Sequence, residues 1–73
     1  MKGKEMKTQY KYINFNEAIG WDIWECRNNK TNHCLGEIQY SDQWKCFVFI
    51  SESNCQFSSD CLADIIDFMK QLK

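Results

Sequence analysis

The chain has 73 residues, of which 44% are hydrophobic, 15% are aromatic and 26% are charged, and its formal net charge is −1. This length makes one domain. No apolar run approaches the roughly 20 residues of a membrane-spanning helix, and the polar first residues do not form a signal peptide, so we expect a cytoplasmic protein with no membrane partner.

The charges divide the chain into a basic beginning and a mildly acidic remainder. Residues 1–11 contain four lysines and one glutamate, whereas the rest of the chain has five basic and nine acidic side chains. We predict that residues 1–8 form a disordered basic arm and that residues 9–73 form a single domain. The arm is interpreted either as a solvated terminus or as an electrostatic contact for nucleic acid or an acidic partner.

Alternating apolar residues and polar turns predict a meander of antiparallel strands. Residues 10–15 alternate weakly, which leaves open whether they form a first strand. Residues 21–27 and 34–40 alternate more clearly, and a polar turn with two adjacent asparagines joins them. Ser41-Asp42-Gln43 has hairpin length and leads to the last strand, residues 44–50.

The last predicted strand is the most informative segment, because both of its faces are apolar apart from Lys45. Alternation places Phe47 and Phe49 on one face. The opposite face receives the larger set, Trp44, Cys46, Val48 and Ile50. This larger set is predicted to face the core.

The C-terminal residues predict one amphipathic helix. Ser58 is predicted as its N-cap, Phe57 precedes the cap in the position of a hydrophobic staple, and Asp60 and Lys70 suit the helix dipole. At 100° per residue the apolar side chains fall within an arc of roughly 160°. Its members are Cys61, Leu62, Ile65, Ile66, Phe68, Met69 and Leu72. The predicted fold class is therefore α+β: a three- or four-stranded antiparallel meander with the C-terminal helix packed on one face.

A single helix covers one face of a small sheet, so the other face is predicted to be an exposed apolar patch of the kind that marks contact sites. The predicted partner-binding residues are Phe47, Phe49, Trp24, Trp21, Tyr40 and Lys45. Residues 10–15 are an alternative cover for part of this face, and a second copy of the chain is another.

Metal binding and catalysis are not predicted. Five cysteines and His33 supply ligand atoms, but their spacing is irregular and contains no Cys-x-x-Cys pair. His33 lies in a polar turn, the acidic residues are scattered, and the three glycines form no phosphate-binding loop. We therefore expect no cofactor, no metal ion, no catalytic residue and reduced cysteines.

The order of aromatic residues and helix signals resembles that of small uncharacterised proteins of bacterial phages and mobile elements. The residues that carry the resemblance lie between about residues 21 and 72: Trp24, Leu35-Gly36-Glu37-Ile38, Trp44-x-x-Phe47-x-Phe49 and Phe57-Ser58-x-x-Cys61-Leu62-x-x-Ile65-x-x-Phe68. The resemblance implies no activity and no catalytic residue.

The function predicted from these observations is a non-enzymatic protein-binding module that acts on a host or defence protein through an open aromatic sheet face. One alternative is a homodimeric structural module, in which the open face or an edge strand pairs with a second copy. The other is a single-stranded nucleic-acid binder that uses the lysine-rich arm and the sheet aromatics.

Overall fold

The computed structural model describes residues 6–18 and 23–72 and shows a four-stranded antiparallel sheet followed by a helix. The elements are β1 (Ile13–Glu17), β2 (Ile23–Asn28), β3 (Cys34–Ser41), β4 (Cys46–Ser51) and α1 (Ser59–Lys70). Each strand pairs with the next one, so the sheet order is β1-β2-β3-β4. The predicted α+β class is confirmed, in its four-stranded form. Within the described residues, no helix has the length and apolar character needed to cross a membrane.

Asparagine side chains shape the turn between β2 and β3. Asn28 Oδ1 accepts hydrogen bonds from the backbone N–H groups of Lys30 at 2.7 Å and Thr31 at 3.0 Å. Asn32 then adopts a φ of 62°, in the left-handed region that asparagine tolerates. The polar turn predicted between these strands is confirmed.

The turn between β3 and β4 extends two residues further than predicted. The backbone N–H of Trp44 donates to Ser41 Oγ at 3.2 Å, and that of Lys45 donates to the Ser41 carbonyl at 2.7 Å. Trp44 is 71% exposed, so its predicted position in the core is wrong. Trp21, the predicted first residue of the second strand, lies outside the described residues.

The helix covers the sheet face opposite to the predicted one. The register pairs Phe49 with Ile38, and Ile38 with Trp24, so these three side chains share a face. Ile38 is fully buried there, and Phe47 and Phe49 pack against the same core. The prediction that Phe47 and Phe49 lie on an open face is therefore wrong.

Gly36 in β3 explains how the Phe49 ring fits against the covered face. A Cβ atom at position 36 would lie 2.6 Å from the Phe49 ring and 2.6 Å from the Ile50 carbonyl oxygen. The ring thus fills the space that the missing side chain leaves. The composition of β4 alone does not reveal this space, because a neighbouring strand provides it.

Aromatic rings join the helix to the first two strands. Phe68 is fully buried and stacks on Phe15, with ring centroids 4.1 Å apart and planes at 3°. Trp24 meets Phe68 at 5.0 Å with its ring inclined by 66°. Phe15 belongs to β1, which pairs with β2 at the sheet edge. Tyr10, Ile13 and Phe15 therefore belong to the core on the same sheet face as Phe47 and Phe49, and helix α1 packs on that face. The alternative, in which residues 10–15 themselves cover part of an otherwise open face, is wrong.

Helix α1 begins at the predicted cap, where the Ser58 side chain accepts a hydrogen bond from the backbone N–H of Cys61 at 3.2 Å. Its predicted apolar arc is only partly covered by the sheet. Ile65 and Phe68 are buried, whereas Leu62 is 45% exposed and Ile66 is 54% exposed. One side of the arc therefore remains open to solvent.

Candidate protein-binding surface along β4

The predicted partner-binding residues do not form one open aromatic face. Trp24, Phe47 and Phe49 are half-buried beneath the helix. Tyr40 is 50% exposed and meets Phe47 edge-on, with ring centroids 5.5 Å apart. Lys45 is exposed in the turn, where its φ is 60°. Of this set, only Tyr40 and Lys45 are exposed among the described residues.

The uncovered face of the sheet carries polar residues on each of its first three strands, beside Ile23 of β2. Arg27 Nη2 and Glu25 Oε1 lie 2.8 Å apart in a salt bridge. On β1, Asn16 Nδ2 donates to Asn14 Oδ1 at 2.7 Å. Glu37 of β3 pairs with Glu25 and shares the same face. The alternation of polar residues on these strands was visible in the sequence and would have placed this face in water.

Backbone groups of residues 8–10 close the outer edge of β1. The N–H of Phe15 donates to the Thr8 carbonyl, and the N–H of Tyr10 donates to the Ile13 carbonyl, each at 2.9 Å. Asn29, from the turn between β2 and β3, secures the segment by donating from Nδ2 to the Tyr10 carbonyl at 2.8 Å. The Phe15 N–H and the Ile13 carbonyl on this edge thus have partners within the chain.

Helix α1 holds the same segment from the covered side of the sheet. The Tyr10 hydroxyl donates to Asp67 Oδ2 at 2.8 Å. Gln71 accepts from the Lys7 N–H at 2.9 Å and donates to the Lys7 carbonyl at 2.8 Å. Lys7 and Thr8, which the prediction assigned to a disordered arm, are therefore bonded to the domain. Residues 1–5 of that arm lie outside the described residues.

The outer edge of β4 differs from that of β1. The N–H of Glu52 donates to the Leu35 carbonyl at 2.9 Å, and the register continues without a shift to Ser41 and Cys46. Because bonded pairs alternate along an antiparallel ladder, residues 46, 48 and 50 bond to β3. The backbone groups of residues 47, 49 and 51 point away from the sheet. Strand β4 contains no charged residue, proline or bulge, which are the usual protections of an edge strand.

An apolar groove runs beside this edge, between β4 and α1. It has a volume of about 310 Å³ and is lined by Cys46, Phe47, Ile66, Met69 and Lys70. Four of its five lining side chains are apolar or carry a thiol, and Lys70 is the one charged group. The groove therefore offers space for apolar side chains next to a row of backbone groups that have no partner among residues 6–18 and 23–72.

Most of the exposed large apolar side chains belong to β4, to its hairpin or to the helix beside it. Five of the seven in the described part of the chain are on β4, in its hairpin or on α1: Tyr40, Trp44, Ile50, Leu62 and Ile66. We call these residues, β4 and the groove the β4 side. The apolar arc predicted for the helix was the sequence signal for this surface. The arc is roughly 160° wide, and a helix that packs on a core by one face can do so with a stripe of about 100°.

Among the described residues, the two groups whose pKa values are strongly shifted, Tyr10 and Cys26, belong to the hydrophobic core. Burial, together with smaller contributions from the nearby Cys34, Cys61 and Cys55, raises the pKa of Cys26 to about 12. Burial and the hydrogen bond to Asp67 likewise raise the pKa of Tyr10. Within residues 6–18 and 23–72, no group of three or more potential ligands is arranged to hold a metal ion. All five cysteines are free thiols.

Comparisons with known proteins identified no relative of this chain. No protein-family model matches the chain, and no curated protein or solved structure matches it either. The similarity to small phage and mobile-element proteins therefore stays a prediction from the sequence.

Proposed function

We propose that this chain is a non-enzymatic protein-binding module whose binding surface is the β4 side. The observation that supports this proposal is the uncharged, apolar edge of β4 beside an apolar groove. The other edge of the sheet, by contrast, is hydrogen-bonded by residues 8–10. Exposed apolar patches mark contact sites, and unprotected strand edges are templates for pairing with another polypeptide.

Strand addition is the binding mode that fits this surface. The outward N–H and C=O groups of residues 47, 49 and 51 supply main-chain hydrogen bonds to an incoming strand. Side chains of that strand alternate between two environments. One set reaches the groove beside Phe47 and Ile66, and the other lies against Val48 and Ile50. The backbone thus contributes affinity and the two apolar environments contribute specificity.

The nucleic-acid alternative loses its main support. Base stacking on a sheet requires exposed aromatic rings. Phe47, Phe49 and Trp24 pack beneath α1, and the uncovered face carries Glu25 and Glu37. Acidic side chains on an open face repel phosphate, so the aromatic and charge arguments both favour a protein partner.

The location and the origin of the partner are part of the same proposal. Five free thiols in so short a chain suit a reducing compartment, which supports a cytoplasmic location. A host or defence protein is the partner implied by the resemblance to phage and mobile-element proteins. The experiment below distinguishes such a host or defence protein from a second copy of the chain.

The test uses one charge placed in the groove and the same charge placed elsewhere on the helix. Ile66→Glu puts a carboxylate into the groove, four residues before Lys70, so the helix gains an ion pair and retains its stability. Ala63→Glu is the matched control at an exposed position of α1. Circular dichroism and thermal unfolding verify that both variants fold.

Tagged wild-type and variant chains are expressed with an untagged wild-type copy in the native host, and captured proteins are identified by mass spectrometry. We expect wild type and Ala63→Glu to retain a protein, either the untagged copy or a host protein, that Ile66→Glu loses. Capture of an identical set by all three chains would contradict the β4 side as the binding surface.

A further inference from the structure

We infer that the occupant of the β4 edge is a second copy of this chain, paired β4 to β4 in antiparallel orientation across a two-fold axis. This inference rests on the proposed function and specifies its partner. Two sheets then join into one continuous sheet, with both helices on the same face. The backbone groups, the side chains and the charges of β4 each support this pairing.

The outward backbone groups of β4 are symmetric about Phe49. They belong to residues 47, 49 and 51, as the bond from Glu52 to Leu35 requires. An antiparallel copy centred on Phe49 places residue 47 opposite residue 51 of the second copy, and residue 49 opposite its own equivalent. Every outward N–H and C=O of the three residues then has a partner.

The side chains in this register are also complementary. On the uncovered face, Val48 lies opposite Ile50 of the second copy, and the symmetry repeats the pair. Ile50 is 51% exposed in the single chain, so the pairing removes an apolar side chain from water. On the covered face the two grooves approach the same interface, with Ile66 at the border of each.

Charge selects an antiparallel second copy. Residues 46–51 carry no charge, while Lys45 precedes the strand and Glu52 follows it. Antiparallel pairing brings the end with Lys45 beside the end with Glu52 of the second copy. Parallel pairing would bring like charges together at both ends. The strand is thus electrostatically complementary to its own reversed copy.

The test measures self-association of the whole chain by sedimentation velocity over a wide concentration range. Wild type is expected to form a dimer. Ile50→Lys introduces a charge opposite Val48 of the second copy and keeps the fold, because Glu37 is its neighbour within the chain. We expect each substituted position to raise the dissociation constant of the dimer about tenfold. Because the symmetry of the dimer repeats the substitution, this effect occurs twice.

A rescue variant tests the register. In Val48→Glu with Ile50→Lys, each new lysine lies opposite a new glutamate of the second copy, so dimerisation should return toward the wild-type constant. Asn16→Lys, on the same sheet face of β1, is the matched control and should leave the constant unchanged. Circular dichroism verifies the fold of each variant.

Two results overturn the inference. One is a wild-type chain that stays monomeric at the highest concentration. The other is a dimer that Ile50→Lys leaves unchanged. Either result is distinct from failure of the proposed function, because a host protein captured by wild type and lost by Ile66→Glu would still establish the β4 side as a binding surface.

Discussion

The two edges of the sheet are the most instructive comparison in this molecule. Residues 8–10 fold back on β1 and bond its backbone, and Gln71 and Asp67 of the helix hold that segment in place. Among the described residues no segment covers the edge of β4, and the strand itself contains no charged residue. Because an unprotected strand edge can pair with another chain, this difference between the two edges is the basis of the proposed binding surface.

The helix shows the same asymmetry along its two sides. Toward β1 it presents Asp67 and Gln71, which bond to Tyr10 and Lys7. Toward β4 it presents Ile66 and Met69, which line the groove. The polar row thus makes contacts within the chain, and the apolar row faces a groove that the described residues leave open.

The largest expected effect follows from truncating the ring that anchors the helix on the β1 half of the core. Phe68→Ala removes a fully buried side chain that stacks on Phe15 at 4.1 Å. Such a change costs about 3–5 kcal/mol of unfolding free energy, a large part of the stability of a small domain. Chemical denaturation monitored by tryptophan fluorescence measures the loss.

Ile66→Ala is the matched truncation on the open side of the same helix. Ile66 is 54% exposed, so its removal should change the unfolding free energy by no more than about 0.5 kcal/mol in dilute solution. Equal losses for the two variants would show that the β4 half is as tightly packed as the β1 half, and the comparison would fail.

A smaller effect concerns pH and the hydroxyl that links β1 to the helix. The pKa of Tyr10 is raised above its usual value near 10 by burial and by the bond to Asp67. The folded chain therefore keeps a proton that the unfolded chain releases above pH 10. Stability is complete below that pH and falls as pH rises, by at most about 1.4 kcal/mol per pH unit.

Tyr10→Phe isolates this contribution. The variant lacks the hydroxyl, so its unfolding free energy should fall less steeply above pH 10 than that of wild type. Both proteins share a decline that begins near pH 9, because burial raises the pKa of Cys26 from 9.0 to about 12. Parallel curves for the two proteins above pH 10 would mean that the hydroxyl is not held as described.

A more local effect is expected from opening the β1 edge itself. Gln71→Ala removes both hydrogen bonds between that side chain and the Lys7 backbone, at a cost of about 1 kcal/mol. Because the segment then opens more often, the amide of Phe15, which donates to Thr8, should exchange faster with deuterium. The measurement is amide exchange by NMR.

Gln43→Ala, in the exposed turn between β3 and β4, is the control for the loss of a glutamine side chain. It should leave the exchange of Phe15 unchanged. Unaltered exchange in Gln71→Ala as well would indicate that the backbone bonds close the β1 edge without help from the helix.

Local signals were sufficient for most of the secondary structure. The capped helix follows from Ser58 and from 3.6-residue periodicity, and the turn between β2 and β3 follows from adjacent asparagines. Both depend on groups within a few residues of one another. Strand β4 was found too, although its start was misplaced, because Trp44 suits a strand by composition while Ser41 holds it in a turn.

The candidate site was harder to predict because its residues lie on separate elements. Phe47 was placed on an open face, although it lines a groove with Ile66 and Met69. Alternation along one strand states which residues share a face. It does not state which face the helix covers. The polar residues on one face of β1, β2 and β3, considered together, indicate that the helix covers the opposite face.

The sequence by itself determined the α+β class, the order of strands and helix, and the amphipathic character of each element, since these depend on periodicity and on local hydrogen bonds. Only the tertiary structure decided how the covered face is packed and how the two edges differ. The packing of the covered face depends on the space that Gly36 leaves for Phe49. The closed edge depends on bonds between Lys7 and Gln71, which lie 64 residues apart in the chain.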